Sequence, residues 1–248
     1  MSRHRFYAPN ATGCNLSIAL PDVEANQLAR VLRLKRGDTV NVFDGQGREF
    51  VARIEKIEKT LVTLLTLKVF DAIPEPKVRL TLALSLLKGR LTDNVVRDAT
   101  MLGATVIQPV HTTRSQNTYT PSQLKKSLKR WESIAISSSK QCGRAVVPRI
   151  NELMLFKDFL DLKKKALRII LVEPTTTKKY AGLDIVQNFQ VPSHATILVG
   201  PEGGWTNKEL EEATQQGFHP VTLGFRTLRA DATAIVAIPL FKYLWSDL

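Results

Sequence analysis

The chain has 248 residues, of which 44% are hydrophobic and 23% are charged, with 13 glycines and 12 prolines. These proportions are typical of globular protein and exclude collagen-like, low-complexity and wholly disordered chains. The length allows one large domain or two modest ones, each with its own core. The 35 lysines and arginines outnumber the 23 acidic residues, and the net charge of +12 favours a polyanionic partner, nucleic acid ahead of an anionic membrane.

The sequence indicates a soluble, cytoplasmic protein. Residues 1–10 carry charges and a proline where a signal peptide has an apolar run. The most apolar stretch, residues 232–245, is too short to span a bilayer. Cys14 and Cys142 have no metal-ligand spacing and are interpreted as reduced thiols, since disulfides are rare in the cytoplasm.

The first part of the chain has the pattern of a small β domain. A helical segment over residues 21–32 precedes alternating stretches in residues 39–70, where Asp44-Gly45 provides turn chemistry. Short strands joined by tight turns predict a barrel or sandwich. Two nearby prolines in the run IPEP cannot continue a central strand, so we place one domain over residues 1–72 and a second over residues 73–248.

The second domain alternates strands with helices, which predicts a buried, mainly parallel α/β sheet whose strand order cannot be read from the pattern. The predicted strands cover residues 79–87, 105–110, 168–173, 196–200 and 220–224. The predicted helices cover about residues 89–102, 121–138, 154–164, 206–216 and 232–245.

A basic segment lies inside this second domain. Residues 114–149 contain eight lysines and arginines against a single acidic residue, Glu132. Such a segment can be a solvated helix face, and it can also be a surface that contacts phosphates, because uncompensated positive charge of this density is stabilised by an anion.

Three loops after predicted strands are candidates for ligand binding, because open α/β sheets bind ligands beyond the carboxyl ends of their strands. The first, VGPEGGWTNKEL over residues 199–210, combines a glycine pair with a capping box of Thr206 and Glu209 at the start of a helix. The second, residues 223–238, places two arginines before a helix rich in small residues. The third is the polar run LVEPTTTKK.

No constellation for acid–base catalysis or metal binding stands out. The histidines are isolated from one another, and the sequence has neither a P-loop nor the dinucleotide fingerprint. Transfer of an already activated group fits this absence better than hydrolysis does.

The GPEGG loop, followed by LGFRTLRAD about twenty residues later, resembles the ribosomal RNA small subunit methyltransferase E family of the SPOUT class. Three further blocks resemble the family in the same order: NQLARVLRLKRGDTVNVFDGQG (26–47), LGATVIQPVHTTRS (102–115) and QCGRAVVP (141–148). The resemblance implies an N-terminal PUA-like β-barrel domain and a C-terminal, trefoil-knotted SPOUT α/β domain. It also implies a homodimer with the active site at the subunit interface.

The implied reaction is transfer of a methyl group from S-adenosylmethionine, without a metal, to N3 of the uridine at position 1498 of 16S ribosomal RNA in the small subunit. Carried onto this sequence, the family pattern predicts Arg229 and Asp231 as catalytic residues. The predicted cofactor-binding residues are Leu171, Val172, Val199, Gly200, Glu202, Gly203, Leu223, Gly224 and Leu228. For RNA binding we select Arg30, Arg33, Lys35, Arg114 and Arg144.

Three positions depart from the family pattern: Met101 and Lys140 stand where glutamate is usual, and Asp231 replaces a glutamate in the arginine loop. Alternative functions therefore stay open. They are a SPOUT-class methyltransferase acting on another RNA, an RNA-binding homologue without activity, and a nucleotide-dependent oxidoreductase, which the missing dinucleotide fingerprint disfavours.

Overall fold

The structure is a computed structural model that describes residues 4–58, 61–115, 119–162, 166–174 and 180–247. The chain divides into two compact units. The first comprises Met1–Glu75 and Ile136–Val147, and the second comprises Pro76–Ala135 and Pro148–Leu248. None of the described helices is long and apolar enough to cross a membrane.

The first unit is built on a five-stranded sheet with the order β1-β3-β4-β5-β2. Strand β1 is parallel to β3, and the other neighbours are antiparallel. A short helix, α1, continues into a single π-helical stretch, Gln27–Val31, so the predicted helical segment is present. The elements are β1 (Arg5–Tyr7), β2 (Ser17–Ala19), α1 (Asp22–Asn26), β3 (Thr39–Phe43), β4 (Glu49–Ile57) and β5 (Val62–Phe70).

The alternating apolar positions of these strands form the core of the first unit. Phe6, Leu28, Ile54 and Leu64 are fully or almost fully buried in it. The predicted turn lies between β3 and β4, where the Asp44 carboxylate accepts hydrogen bonds from two backbone N–H groups of the turn, at 2.7 and 3.0 Å. The buried Asp44 carboxylate thus holds the turn by pairing with two of its backbone donors.

The segment Ile136–Val147 belongs to the first unit although it lies far along the chain. The Arg5 guanidinium joins it to the sheet, since it binds the Glu49 carboxylate at 2.7 Å and donates to the carbonyls of Ser139 and Lys140, both at 2.9 Å. The predicted domains, residues 1–72 and residues 73–248, are two continuous ranges. They therefore place Ile136–Val147 in the second domain, whereas this segment belongs to the first unit.

The described residues of the second unit form seven strands and most of the longer helices, and the predicted elements appear in the predicted order. Its strands are β6 (Arg79–Ser85), β7 (Val106–His111), β8 (Arg149–Ile150), β9 (Met154–Leu155), β10 (Leu167–Leu171), β11 (His194–Val199) and β12 (His219–Val221). Its helices are α2 (Leu91–Met101), α4 (Phe156–Leu160), α5 (Asn207–Gln215) and α6 (Ala230–Leu244), together with a 3-10 helix, Leu183–Asn188. Helix α3 (Pro121–Cys142) begins here and ends in the segment of the first unit.

Within the described part of the chain, the strand pairs of the second sheet are all parallel, and the main path has the order β12-β10-β11-β6-β7-β8, with β9 beside β7. The central strands are continuous apolar runs because both of their faces are covered. The order makes β10, β11 and β12 neighbours, so their carboxyl ends, and the loops that follow them, lie side by side at one edge.

Arg168 shows how the sheet is closed against the helices that cover it. Its guanidinium donates to the carbonyl oxygens of Leu160 and Gln216 and lies 4.2 Å from the centre of the Phe218 ring. Burial lowers the pKa of Arg168 from its ordinary value, because the charged form loses hydration. These contacts give Arg168 a structural role, because they join β10 to the last residue of α4, to the residue after α5 and to the buried Phe218 ring.

Candidate active site

The loops after β10, β11 and β12 surround a cavity of about 280 Å³ at the carboxyl edge of the second sheet. This is the place where parallel α/β sheets bind ligands. The first residue of α2 contributes one wall. The lining residues are Leu91, Leu171, Val172, Glu173, Pro174, Val199, Gly200, Pro201, Glu202, Gly204, Trp205, Leu223, Arg226, Thr227, Leu228, Arg229, Ala230 and Thr233.

The glycine loop runs from the end of β11 to the start of α5. Gly204 has a φ of +66°, a backbone conformation that residues with a side chain rarely adopt, and it turns the chain toward the helix. The predicted capping box is confirmed: the Thr206 hydroxyl accepts from the Glu209 N–H at 3.1 Å, and the Glu209 carboxylate accepts from the Thr206 N–H at 2.9 Å. The cap fixes the direction in which the loop enters the helix.

Trp205 connects the glycine loop to the neighbouring strand. Its indole N–H donates to the carbonyl oxygen of Leu171, the last residue of β10, at 2.8 Å. The same ring packs against Gly200 and lies 5.5 Å from the Phe156 ring. The loop is therefore anchored by an aromatic residue that the pattern of glycines and prolines did not single out.

Two further loops hold the glycine loop by hydrogen bonds. Arg114, in the loop after β7, donates to the carbonyl oxygens of Gly203 and Trp205 at 2.9 and 3.2 Å. The neighbouring Thr113 N–H donates to the buried Glu209 carboxylate at 2.8 Å. On the other side, the Lys88 N–H donates to the Glu202 carboxylate at 2.8 Å.

The arginine loop follows β12 and ends at α6. Gly224 has a φ of +131°, and a side chain there would be strained whatever space it had. Arg229 is the N-cap residue of α6, and its guanidinium binds the Asp231 carboxylate through two contacts of 3.2 and 3.3 Å. The Arg229 side chain is 73% exposed, so most of its donor capacity faces the solvent and the cavity.

The cavity has an apolar floor and a mixed-charge rim. Leu171, Val172 and Val199 are buried at the strand ends. The rim carries the carboxylates of Glu173 and Glu202 together with the guanidinium groups of Arg226 and Arg229. Such a cavity can enclose a flat apolar group and hold a zwitterionic or charged extension at its rim. Among the described residues, no group of three acidic, histidine or cysteine side chains is arranged to hold a metal ion.

The structure brings most of the predicted cofactor residues together. The residues that line the cavity are Leu171, Val172, Val199, Gly200, Glu202, Leu223 and Leu228. Gly203 and Gly224 do not line it: Gly203 packs against Arg114, and Gly224 shapes the arginine loop. In the third predicted loop, Glu173 and Pro174 reach the cavity, whereas residues 175–179 lie outside the described part of the chain.

The predicted RNA-binding residues fall into two groups. Arg30, Arg33 and Lys35 are exposed on the first unit, and Arg114 is exposed in the second. Arg144 is different: it is only 6% exposed, and its Nε donates to the Glu75 carboxylate at 2.9 Å. A guanidinium enclosed and paired in this way cannot serve as a phosphate contact, so the structure corrects the prediction for Arg144.

Sequence reasoning did not select two chemically useful residues of the cavity, Glu173 and Trp205, and it noted Arg226 only as one of the two arginines before the last helix, without a role. Glu173 leans over the glycine loop, where a Cβ on Gly204 would lie 3.4 Å from its Oε1. The sequence does show that Glu173 is a charged residue directly after a predicted strand. Its position beside the glycine loop, however, depends on the adjacency of β10 and β11, which the sequence pattern does not reveal.

Comparisons with known proteins agree with this geometry. A family model described as an RNA methyltransferase domain matches residues 74–242, and one described as an RNA methyltransferase PUA domain matches residues 20–67. A ribosomal RNA small subunit methyltransferase E of Synechocystis is 32% identical over 90% of this chain and 71% of its own length. That of Rickettsia conorii is 31% identical over 99% of this chain and 98% of its own.

Two solved structures cover 98% of this chain and 98% of their own. The ribosomal RNA small subunit methyltransferase E of Neisseria gonorrhoeae, bound to S-adenosylmethionine, has a TM-score of 0.88 at 30% identity. A methyltransferase of Legionella pneumophila with bound cofactor has a TM-score of 0.89 at 27% identity. The predicted fold class, a SPOUT-type α/β domain with an N-terminal PUA-like domain, is confirmed. The chain belongs to the ribosomal RNA small subunit methyltransferase E family of RNA methyltransferases.

Proposed function

We propose that this protein transfers a methyl group from S-adenosylmethionine to N3 of one uridine in the 16S RNA of the small ribosomal subunit, the uridine at position 1498. The observation that carries the proposal is the position of Arg229, held by Asp231 at the rim of a cavity that three strand exits enclose. Three of the relatives reported above are named ribosomal RNA small subunit methyltransferases, and the structure of one of them contains bound S-adenosylmethionine.

The residues of the cavity fit the proposed cofactor. The apolar side chains of Leu171, Val199 and Leu223 offer a slot for an adenine ring, and Gly200 leaves the backbone there without a side chain of its own. The carboxylates of Glu173 and Glu202 at the rim are suited to a positively charged ammonium group. The fit needs no metal ligand.

The protein's part in the reaction is to position and to stabilise charge. S-adenosylmethionine, when bound, supplies an electrophilic methyl group, so the difficult chemistry belongs to the cofactor. The uridine must be unpaired or extruded to reach the cavity. Its N3 proton is released to water, and the negative charge that develops on the ring needs a positive group nearby. Arg229 supplies that group, since positioned charge is usually the largest catalytic contribution.

Asp231 acts through Arg229. Its two contacts with the guanidinium restrict the rotamers of a side chain that is otherwise largely in water. Because an exposed ion pair contributes little to stability, its value here is orientation. Aspartate keeps the charge of the glutamate that the family pattern shows, on an arm shorter by one methylene.

RNA binding is assigned to exposed cations. Arg30, Arg33 and Lys35 lie in or directly after the helical segment of the first unit, and Arg33 has a φ of +52°, which marks a sharp turn in the chain. Arg114 has donors left beyond those it gives to the glycine loop. Contacts of this type supply most of the affinity for a phosphate backbone.

The proposal includes a homodimer, the trefoil knot and a cytoplasmic location, as the family resemblance implies. In support of the dimer, the α6 helix is apolar on nearly all sides, and Val236 and Tyr243, two turns apart, are 39% and 70% exposed. A helix that is apolar all round is normally buried, which a second copy of the chain would achieve. Light scattering coupled to size-exclusion chromatography measures the molar mass in solution and so distinguishes a dimer from a monomer.

The decisive experiment is methyl transfer from labelled S-adenosylmethionine to small subunits that lack the modification, followed by digestion and mass spectrometry of the nucleosides. N3-methyluridine at a single 16S site supports the proposal. Incorporation at another position or into another RNA overturns the assigned target. Cofactor binding without incorporation into any RNA, or no cofactor binding, overturns the enzymatic assignment and leaves an RNA-binding homologue.

A further inference from the structure

The arginine loop carries a completely exposed aromatic ring. Phe225 has a relative exposure of 101%, the highest of the exposed large hydrophobic residues in the described part of the chain. Aromatic contacts found among the described residues involve other rings. Burying a phenylalanine side chain stabilises a folded protein by about 1.5–3 kcal/mol. The exposed ring of Phe225 does not make this contribution.

The place of Phe225 in the loop is informative. Leu223 on one side and Arg226 on the other both line the cavity, whereas Phe225 does not. Gly224, with its φ of +131°, precedes the ring, and nothing lies within 4 Å of where its Cβ would be. The ring therefore stands outside the cavity and exposed to solvent, in a loop whose neighbouring residues line the cavity.

The charges beside the ring indicate which partner covers it. Arg226, an exposed cation, directly follows Phe225, and Arg229, which is paired with Asp231, comes three residues later. An apolar protein surface would have to desolvate the Arg226 guanidinium, which is costly without a paired anion. An unpaired RNA strand satisfies both features at once, since each nucleotide carries a planar base for the Phe225 ring and a phosphate for the Arg226 guanidinium.

We propose that Phe225 is a stacking platform for the nucleobase next to the uridine that is methylated. The inference rests on the proposed function, because it takes an unpaired RNA strand as the substrate. The stacked base is a neighbour of the target, because the target base must enter the cavity and the ring lies outside it. Stacking on one side of the target nucleotide holds the strand open while the uridine is extruded.

The test compares Phe225→Ala with Phe225→Trp and with Val191→Ala, a control that removes an apolar side chain of 60% exposure elsewhere in the second unit. Affinity for unmodified small subunits is measured by filter binding, without turnover. A lost base–aromatic contact weakens binding by about 5- to 150-fold. We expect this loss for Phe225→Ala only, with the tryptophan variant within about threefold of the unchanged protein.

Two controls separate this inference from other roles of the ring. Calorimetry of S-adenosylmethionine binding and light scattering of the oligomer should be unchanged in Phe225→Ala. Unchanged RNA affinity, a lost cofactor affinity or a changed mass would each overturn the stacking role. If the protein binds small subunits in a Phe225-dependent way but methylates no uridine, the proposed reaction fails, and with it the place of the stacked base beside a methylated uridine, while Phe225 remains a stacking platform for unpaired RNA.

Discussion

The indole ring of Trp205 occupies the space that a side chain at position 200 would need. A Cβ on Gly200 would lie 2.9 Å from Cε2 and 3.1 Å from Nε1 of the ring. The same Nε1 donates to the Leu171 carbonyl, so the ring cannot move away without losing this hydrogen bond. The glycine is therefore required by packing, and the packing joins the ends of β10 and β11 at the floor of the cavity.

Replacing Gly200 with alanine should damage the cofactor site while the fold persists. The indole must shift, the bond to Leu171 weakens, and the cavity loses its shape; we expect at least a tenfold loss of S-adenosylmethionine affinity by calorimetry, which corresponds to about 1.4 kcal/mol. Gly13→Ala is the matched control, because its new Cβ would meet Leu16 at an ordinary 3.5 Å. Equal affinity in the two variants would contradict the role given to the Gly200 contact.

The second prediction concerns Arg229. Arg229→Ala should abolish methyl transfer and leave the cofactor affinity within a few-fold, because its guanidinium is assigned to the charge on the uridine ring. Arg97→Ala provides a control, since Arg97 forms a comparably exposed pair with Asp98 on α2. Turnover by Arg229→Ala at the rate of the control would remove Arg229 from the mechanism.

The partner of Arg229 gives a separate prediction. Asp231→Asn keeps the size of the side chain and loses its charge, so Arg229 is held less firmly and kcat should fall about tenfold with little change in KM. Asp231→Glu restores the charge and should recover most of the rate. A purely structural role for Asp231 predicts instead that both variants lose thermal stability in step with activity, which a melting curve reveals.

RNA affinity should depend steeply on salt. Each phosphate contact contributes about 0.7–0.9 to the slope of log affinity against log salt. Arg30→Ala, Arg33→Ala and Lys35→Ala should each reduce that slope by about this amount and weaken binding to all RNAs alike. A slope that is flat in the unchanged protein, or that none of the three substitutions reduces, would contradict the electrostatic surface.

Local features of this chain were predictable from sequence, whereas relations between distant segments were not. The Thr206–Glu209 capping box is local, and it appears as predicted. Trp205 was missed because its partner, Leu171, is brought close only by the adjacency of β10 and β11. Arg144 counted as part of a basic surface because Glu75, the carboxylate that neutralises it, lies 69 residues away.

The burial of Arg144 leads to the last prediction. Its side chain is 7% exposed and that of Glu75 is 24% exposed, so the pair is mostly removed from water. Arg144→Ala leaves a carboxylate without its guanidinium, and removing one member of a buried pair costs about 3 kcal/mol. Urea unfolding should show this loss, and adding Glu75→Ala should recover part of it, because the uncompensated charge is then removed as well. A phosphate-binding Arg144 would behave in the opposite way, with unchanged stability and a reduced salt slope of RNA binding.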